Sequence, residues 1–251
     1  MSSVEHRSPL EKSVPLIYRL QRWFFAACIV LGAAATLVMV ATNPGYYNSQ
    51  TGEAGLLAGY ASANVVMVQI HLISAVITFY LLPVGLLVMA WLAMRRAPWL
   101  ASIGAFLVLL GMLPLPALAA AVESLTYDIV RAGSNPLLIT MVKQFNNDGV
   151  MSFYNIVDIP GVVLGPALIG LALWRARAVP IWSAVLITFS RLVVFLFPFF
   201  PSLPGVYIQF PSCLLLLVGS IPAARAVLRT LSDERQSTPN KEAHFPGATL
   251  S

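Results

Sequence analysis

Charged residues are scarce in this chain of 251 residues: they make up 10% of it, whereas hydrophobic residues make up 58%. In a soluble globular domain, about a quarter of the residues are charged. So few charges cannot cover a water-soluble fold of this length, and the excess of apolar side chains requires contact with lipid. The composition therefore excludes an ordinary soluble domain and predicts an integral membrane protein.

Cysteine and histidine are almost absent, with two and three residues respectively. The sequence contains neither a cysteine framework for disulfides nor a Cys or His pair at zinc spacing. Haem held between two spans needs paired axial ligands, and only one histidine, His71, falls near a predicted span. The sequence also lacks a glycine-rich phosphate loop that ends in Lys and Ser or Thr. We therefore expect no metal site and no cofactor.

Long apolar runs are what the sequence does contain. Helices of about 20 apolar residues suffice to cross a hydrocarbon core about 30 Å thick. Six spans are predicted, near residues 23–42, 66–94, 99–122, 152–174, 180–200 and 206–224. The predicted fold is an all-α, polytopic transmembrane bundle of six helices.

Basic residues are concentrated at one end of the predicted spans. Twelve of the fifteen Lys and Arg precede the first span, follow the sixth, or lie between spans two and three or four and five. The opposite loops hold only Arg131 and Lys143, and Arg191 lies within a span. Loops rich in Lys and Arg stay in the cytoplasm, so both termini are predicted to be cytoplasmic in a multi-pass protein of the cell membrane. Because the basic groups are scattered, a nucleic-acid partner is excluded.

The predicted organisation is one membrane domain with two tails. Residues 1–14 and 231–251 are too polar to offset the entropy of ordering and are predicted to be disordered. The six-helix domain occupies 15–230, with outer loops at 43–62 and 124–151. The first span is expected to be retained, because its small residues lie inside the apolar run and not at a cleavage site after it.

An amphipathic helix is predicted within the second outer loop. It begins at Pro136, with Ser134 or Asn135 as the N-cap, and it stops at Asn147. One face carries the apolar side chains and the other carries Lys143 and Gln144. Such a helix lies flat at the membrane interface, as a loop anchor or as a lid.

A short motif lies between the fourth and fifth predicted spans, where residues 171–185 read LALWRARAVPIWSAV. Arg175 and Arg177 orient the turn, and Pro180 begins the next helix. Through this LWRARxVPxW-type turn, about the last hundred residues resemble a group of uncharacterised bacterial multi-pass membrane proteins. The resemblance implies the topology and lends no activity.

Four ionisable residues lie in or beside the spans. Inserting a charged side chain at the centre of a membrane helix costs about 2.5 to 3.5 kcal/mol, so such residues usually have a functional or structural role. Counting 1.5 Å per residue from the cytoplasmic ends places Arg191 roughly 17 Å deep and Asp158 roughly 25 Å deep. His71 and Glu123 come out at the outer interface. The four groups are predicted to converge in the outer half of the bundle.

Further polar side chains are predicted at the same level and are candidate substrate-binding residues: Tyr154, Asn155, Tyr207 and Gln209. The first two share a side of span four with Asp158 and with Gly161 and Gly165, small residues that allow close helix approach.

These residues favour a membrane-embedded acid/base enzyme of the cyclase or isomerase type. Asp158 is the candidate acid or base, Arg191 is its partner, and Glu123 or His71 is the second proton-transfer group. A pocket open to the bilayer suits a lipophilic small molecule, such as an isoprenoid or another lipid. The alternatives are a noncatalytic accessory or scaffold protein, in which Asp158 and Arg191 form a buried ion pair, and a small-solute transporter. The lipid bilayer is the expected partner, and the oligomeric state stays open.

Overall fold

The computed structural model describes residues 16–47, 52–113, 115–133, 136–199 and 203–236. Within these ranges the side chains of 52–56, 115–120, 146, 150, 155, 196–198 and 230–236 are not described. Every element in the described part of the chain is helical and none is a strand, which confirms the predicted all-α bundle. The tail predicted at 1–14 lies outside the described residues.

Ten α-helices make up the described chain: α1 (Leu16–Thr42), α2 (Gly52–Ser62), α3 (Val65–Met94), α4 (Pro98–Met112), α5 (Leu115–Arg131), α6 (Pro136–Asn146), α7 (Gly149–Ile159), α8 (Gly165–Ala176), α9 (Ile181–Leu192) and α10 (Val206–Gln236). Three irregular helical segments occur among them. They are a 3-10 helix at Pro44–Tyr47, a π-helical segment at Pro160–Leu164 that joins α7 to α8, and a 3-10 helix at Val193–Phe199 that continues α9.

Four helical stretches of the described chain are long and apolar enough to cross a membrane: Leu16–Thr42, Val65–Met94, Met151–Ala176 and Val206–Arg229. They make the chain an integral membrane protein in contact with lipid. Two shorter apolar helices, Pro98–Met112 and Ile181–Phe195, coincide with the third and fifth predicted spans. The 15 residues of α4 cover only about 22 Å at 1.5 Å per residue, so a crossing there stays a prediction.

The prediction that the third span is one continuous helix over 99–122 is wrong. Helix α4 ends at Met112, and α5 begins at Leu115 and continues to Arg131. In the sequence, Pro114 lies between the two helices and Pro116 is the second residue of α5. Proline lacks an N–H and disfavours helical geometry in the residue before it. At the other end of the chain, α10 continues to Gln236, beyond the predicted domain boundary at 230.

The amphipathic helix predicted in the second outer loop is confirmed as α6, which begins at Pro136 and ends at Asn146. Its proposed caps, Ser134 and Asn135, lie outside the described residues. The described part of the loop predicted at 43–62 is also helical, because it contains the 3-10 turn at Pro44–Tyr47 and α2.

Glycine allows the helices to approach one another until their backbones touch. A Cβ on Gly32 of α1 would lie 2.7 Å from the backbone nitrogen of Leu82 on α3, and one on Gly111 of α4 would lie 2.6 Å from the Cα of Gly161. The predicted glycine stripe of span four is thus confirmed as its contact with α4. This contact lies beside Asp158, whose carbonyl oxygen would be 3.1 Å from the same added Cβ on Gly111.

We expect Gly111→Ala to lower the stability of the bundle by about 1–3 kcal/mol, because the added methyl group must separate α4 from the π-helical segment. The measurement is the thermal denaturation midpoint of the full chain in detergent. Gly149→Ala is the matched control, since a Cβ there meets nothing within 4 Å. Equal midpoints for the two variants would contradict the close contact.

Candidate functional site

A cavity of about 280 Å³ lies among the helices of the bundle. Helices α1, α3, α4, α7, α9 and α10 all contribute to its wall. Each irregular segment contributes as well: Tyr46 from the first 3-10 turn, Val162 and Val163 from the π-helical segment, and Val194 from the second 3-10 helix. Irregular backbone at membrane depth is tolerated where it is buried in protein or lines a cavity, and the π-helical segment inside the candidate span Met151–Ala176 meets this condition.

Asp158 and Arg191 both line this cavity, as the sequence predicts, yet they do not pair with each other. Both side chains are described, and no nitrogen of Arg191 lies within 4.0 Å of a carboxylate oxygen of Asp158. The Arg191 side chain is 7% exposed. Asp158 Oδ1 and Arg191 Nε are buried and have no hydrogen-bond partner among the described residues. The two described side chains therefore do not form the direct ion pair of the scaffold alternative.

Thr78 on α3 is a cavity residue that the sequence analysis missed. Its side chain is 2% exposed, and its hydroxyl has no hydrogen-bond partner in the described part of the chain. A signal for it exists in the sequence, because His71, Ser74 and Thr78 are spaced i, i+3 and i+7 and all three are buried. They form one buried polar stripe on a helix that is mostly apolar.

Pro83 adds a backbone acceptor at the same wall. Proline has no N–H to donate to the carbonyl four residues earlier, which in α3 belongs to Phe79. Phe79 and Pro83 both line the cavity. The Phe79 carbonyl, which lacks this α-helical donor, thus belongs to a residue of the same wall as Thr78.

Tyr46, also missed, belongs to the first outer loop and lines the cavity from the 3-10 turn at Pro44–Tyr47. The turn is held by Asn43, whose carbonyl accepts from the Tyr46 N–H at 3.2 Å and whose side-chain oxygen accepts from the Gly45 N–H at 2.9 Å. Burial and the neighbouring charge of Glu123 raise the pKa of Tyr46 to about 12. Its hydroxyl is thus protonated at neutral pH and can donate a hydrogen bond.

His71 and Glu123 meet, as predicted, but beside the cavity and not in its wall. His71 Nε2 lies 3.0 Å from Glu123 Oε2, and His71 Nδ1 lies 2.8 Å from the carbonyl oxygen of Met39. A carbonyl can only accept, so Nδ1 carries a proton, and the hydrogen bond between Nε2 and Oε2 contains a second, shared proton. His71 is 0% exposed and is therefore enclosed by the protein. Met39 lines the cavity and connects the pair to it.

The four candidate substrate-binding residues separate in the structure. Gln209 lines the cavity. The Tyr154 hydroxyl donates to the carbonyl of Gly111 at 2.9 Å and is therefore engaged in helix contact. The side chain of Asn155 lies outside the described residues.

Tyr207 was wrongly assigned to this pocket. It is 66% exposed and lines a different, shallow pocket with Tyr47 and Phe210. Two helical positions separate Tyr207 from Gln209, which is a rotation of about 200° at 3.6 residues per turn. The two side chains therefore point to opposite sides of α10.

Comparison of this chain with models of known protein families, with curated protein sequences and with solved structures gives no match. What the cavity can do follows from its own side chains.

We expect Glu123→Ala to destabilise the protein by about 1–3 kcal/mol, because it leaves Nε2 of the fully buried His71 without a partner. Glu123→Gln keeps a polar group whose amide N–H can donate to the unprotonated Nε2, and it should lose less. The readout is the thermal denaturation midpoint in detergent. Asp128→Asn, an exposed carboxylate on the same helix, is the control and should stay within about 0.5 kcal/mol of wild type. Equal effects of Glu123→Ala and Asp128→Asn would show that the pair contributes nothing.

Proposed function

We propose that this protein is a membrane-embedded enzyme that binds the polar end of a lipophilic substrate in the cavity and performs acid/base chemistry on it, as a cyclase or an isomerase. One observation carries the proposal. Three buried polar atoms without a described partner, Thr78 Oγ1, Asp158 Oδ1 and Arg191 Nε, belong to residues that line the same cavity.

The energetic cost of these atoms favours a binding site over a purely structural arrangement. Each buried polar group without a partner costs about 1–3 kcal/mol, and a charged group costs more. A bundle that used Asp158 and Arg191 only for stability would gain by joining them directly, because a buried charge needs a partner. A substrate with a polar group supplies hydrogen bonds to all three atoms and removes the cost.

The shape of the cavity indicates which part of a substrate it holds. Most of its wall is apolar, with Leu82, Met112 and Val163 among the lining residues. Its 280 Å³ is just below the range of about 300–1,000 Å³ that is usual for small-molecule pockets. It therefore fits the reacting end of a lipid-like molecule, while the remaining hydrocarbon extends into the surrounding bilayer.

The proposed reaction begins with proton transfer from the Asp158 carboxyl group to an alkene carbon or to an oxygen of the substrate. The carboxylate that forms is stabilised by the positive charge of Arg191. The aromatic rings of Tyr46 and Phe79, both in the wall, can stabilise the cation that develops on the substrate.

In the second step the substrate cation becomes neutral again. A carbon next to the cationic centre loses a proton to Asp158, and the double bond moves to that position. In a cyclase, a second alkene of the substrate first attacks the cation and forms a ring bond, and the proton is lost afterwards. Substrate and product have the same composition, so the reaction needs no oxidant or reductant. His71 and Glu123 do not line the cavity, so we assign them the role of holding Met39 in position in the cavity wall.

The test is a comparative lipid and metabolite profile of cells that express wild type, Asp158→Asn or Thr78→Val at matched membrane-protein levels. Wild type should convert a lipophilic compound into an isomer of equal mass. Asp158→Asn should abolish that conversion, because the amide is not an acid, and Thr78→Val should reduce it roughly tenfold through the loss of one hydrogen bond.

Thr126→Val is the matched control for the threonine variant. Thr126 is 2% exposed like Thr78, yet its hydroxyl is bonded to the carbonyl of Val122 and it does not line the cavity. Its profile should equal that of wild type. Coincident profiles for every variant would contradict catalysis and favour a scaffold. A change in the distribution of an unaltered solute across membrane vesicles would favour transport.

A further inference from the structure

The charges in the wall of the 280 Å³ cavity limit the kind of polar group that it can bind. Among the described residues that line it, Asp158 and Arg191 belong to charged types, and the others are apolar or uncharged. No Arg191 nitrogen lies within 4.0 Å of an Asp158 carboxylate oxygen. A ligand in the cavity therefore meets one guanidinium group and one carboxyl group that do not neutralise each other by direct contact.

Several polar side chains of the wall can donate a hydrogen bond. Arg191 Nε can only donate, and the Tyr46 hydroxyl, which is protonated at neutral pH, donates as well. Thr78 Oγ1 carries a proton and has no acceptor among the described residues. Thr36 lines the same wall but differs, because its hydroxyl already donates to the Gly32 carbonyl at 2.8 Å. The cavity is thus supplied with donors for an oxygen atom that accepts.

A phosphate head does not fit the charge of this wall. A phosphate monoester carries a charge of about −1.5 to −2 at pH 7. Arg191 can neutralise one negative charge, and the Asp158 carboxyl group can neutralise none. The remaining charge would lie among apolar side chains such as Leu82 and Val163, where an unpaired ion is strongly destabilised. Phosphate and diphosphate esters are therefore unfavourable ligands.

A carboxylate head fits the charge of the wall but interferes with the proposed chemistry. It would pair with Arg191 in the cavity that Asp158 also lines. Two carboxyl groups at one site share a proton, because both cannot be charged there. The ligand would then hold the proton that Asp158 must give to the reacting atom. A lipophilic carboxylate is therefore expected to occupy the cavity as an inhibitor and not as a substrate.

We propose that the substrate of this cavity ends in one uncharged oxygen, as a lipophilic ketone or alcohol does. The inference rests on the proposed function, since the proton transfer from Asp158 is what rules out a carboxylate. An uncharged oxygen accepts from Arg191 Nε and Thr78 Oγ1 and leaves the Asp158 proton available to the reacting atom. Arg191 gains a negative partner only when Asp158 gives up its proton, so its charge stabilises the state after proton transfer more than the state before it.

The test is a displacement assay on the full chain in nanodiscs of phosphatidylcholine, with tritiated methyl undecyl ketone as the bound probe and competitors at equal concentration in the bilayer. Dodecanol should displace the ketone with similar affinity, since it offers an uncharged oxygen. Dodecane has no oxygen and should be roughly tenfold weaker. Dodecyl phosphate should be weaker than dodecanol by roughly a hundredfold. Dodecanoate should displace the ketone at least as well as dodecanol, because Arg191 neutralises its charge.

A pair of threonine variants checks that the oxygen binds at the described atoms. Thr78→Val should weaken ketone binding roughly tenfold through the loss of one hydrogen bond. Thr126→Val is the matched control and should leave it unchanged, because the Thr126 hydroxyl donates to the Val122 carbonyl away from the cavity. The competitor series uses wild type, so it decides the question even if Thr78→Val does not fold.

Displacement by dodecane or by dodecyl phosphate that equals displacement by dodecanol would overturn the inference. So would failure of dodecanoate to displace the ketone, or an acidic head on the compound that wild type converts. The two proposals can fail separately. The expected order of competitors without any isomer formed by wild type would contradict the proposed function alone, whereas isomer formation together with tight binding of dodecyl phosphate would contradict the substrate class alone.

Discussion

Backbone polar groups surrounded by hydrocarbon must find their hydrogen-bond partners inside the protein, and the architecture of this bundle depends on that constraint. A regular α-helix meets it without help, whereas a proline or a junction between helix types leaves some carbonyl or N–H groups without their α-helical partner. In this protein the departures at Pro44–Tyr47, Pro160–Leu164 and Val193–Phe199 all border one cavity, and so does Pro83 of α3. The irregular segments and Pro83 therefore meet at this cavity.

The cavity walls are held in position by short-range contacts between helices. Gly111 against Gly161 sets the distance between α4 and the π-helical segment that follows Asp158. Helices α9 and α10 are tied by the hydroxyl of Ser183, which donates to the carbonyl of Gly219 at 2.7 Å, and by that of Ser212, which donates to the carbonyl of Ser190. The second of these bonds adjoins Arg191 and fixes the helix that presents it to the cavity.

Much of the fold follows from local patterns in the sequence. The bounds of α6 follow from Pro136, the apolar face and Asn147, because capping and periodicity act within one helix. The glycine stripe at Gly161 and Gly165 predicted a close helix contact, although not its partner Gly111, because partner choice depends on helix order in the bundle. The break in the third span was not predicted, because the continuous hydrophobicity of 99–122 hid the effect of the two prolines.

The site could be predicted only in part, for a physical reason. Depth along a helix follows from residue number, so Asp158 and Arg191 were correctly placed in one cavity. Whether they pair depends on the rotation and spacing of the packed helices, which no single segment encodes. The same limitation explains Tyr207, which lies at the expected level of α10 but on its outer face. Thr78 was missed because a threonine in an apolar helix most often bonds its own backbone, as Thr36 does with Gly32.

Asp158 and Arg191 face the cavity apart from each other, and we infer that they do so in order to bind a ligand. The most direct measurement is a high-resolution structure of the full chain purified in mild detergent from membranes that contain its substrate. The account predicts an elongated non-protein density in the cavity, with its polar end within hydrogen-bond distance of Asp158 Oδ1 and Arg191 Nε. An ion pair formed directly between Asp158 and Arg191, with only water in the cavity, would contradict it.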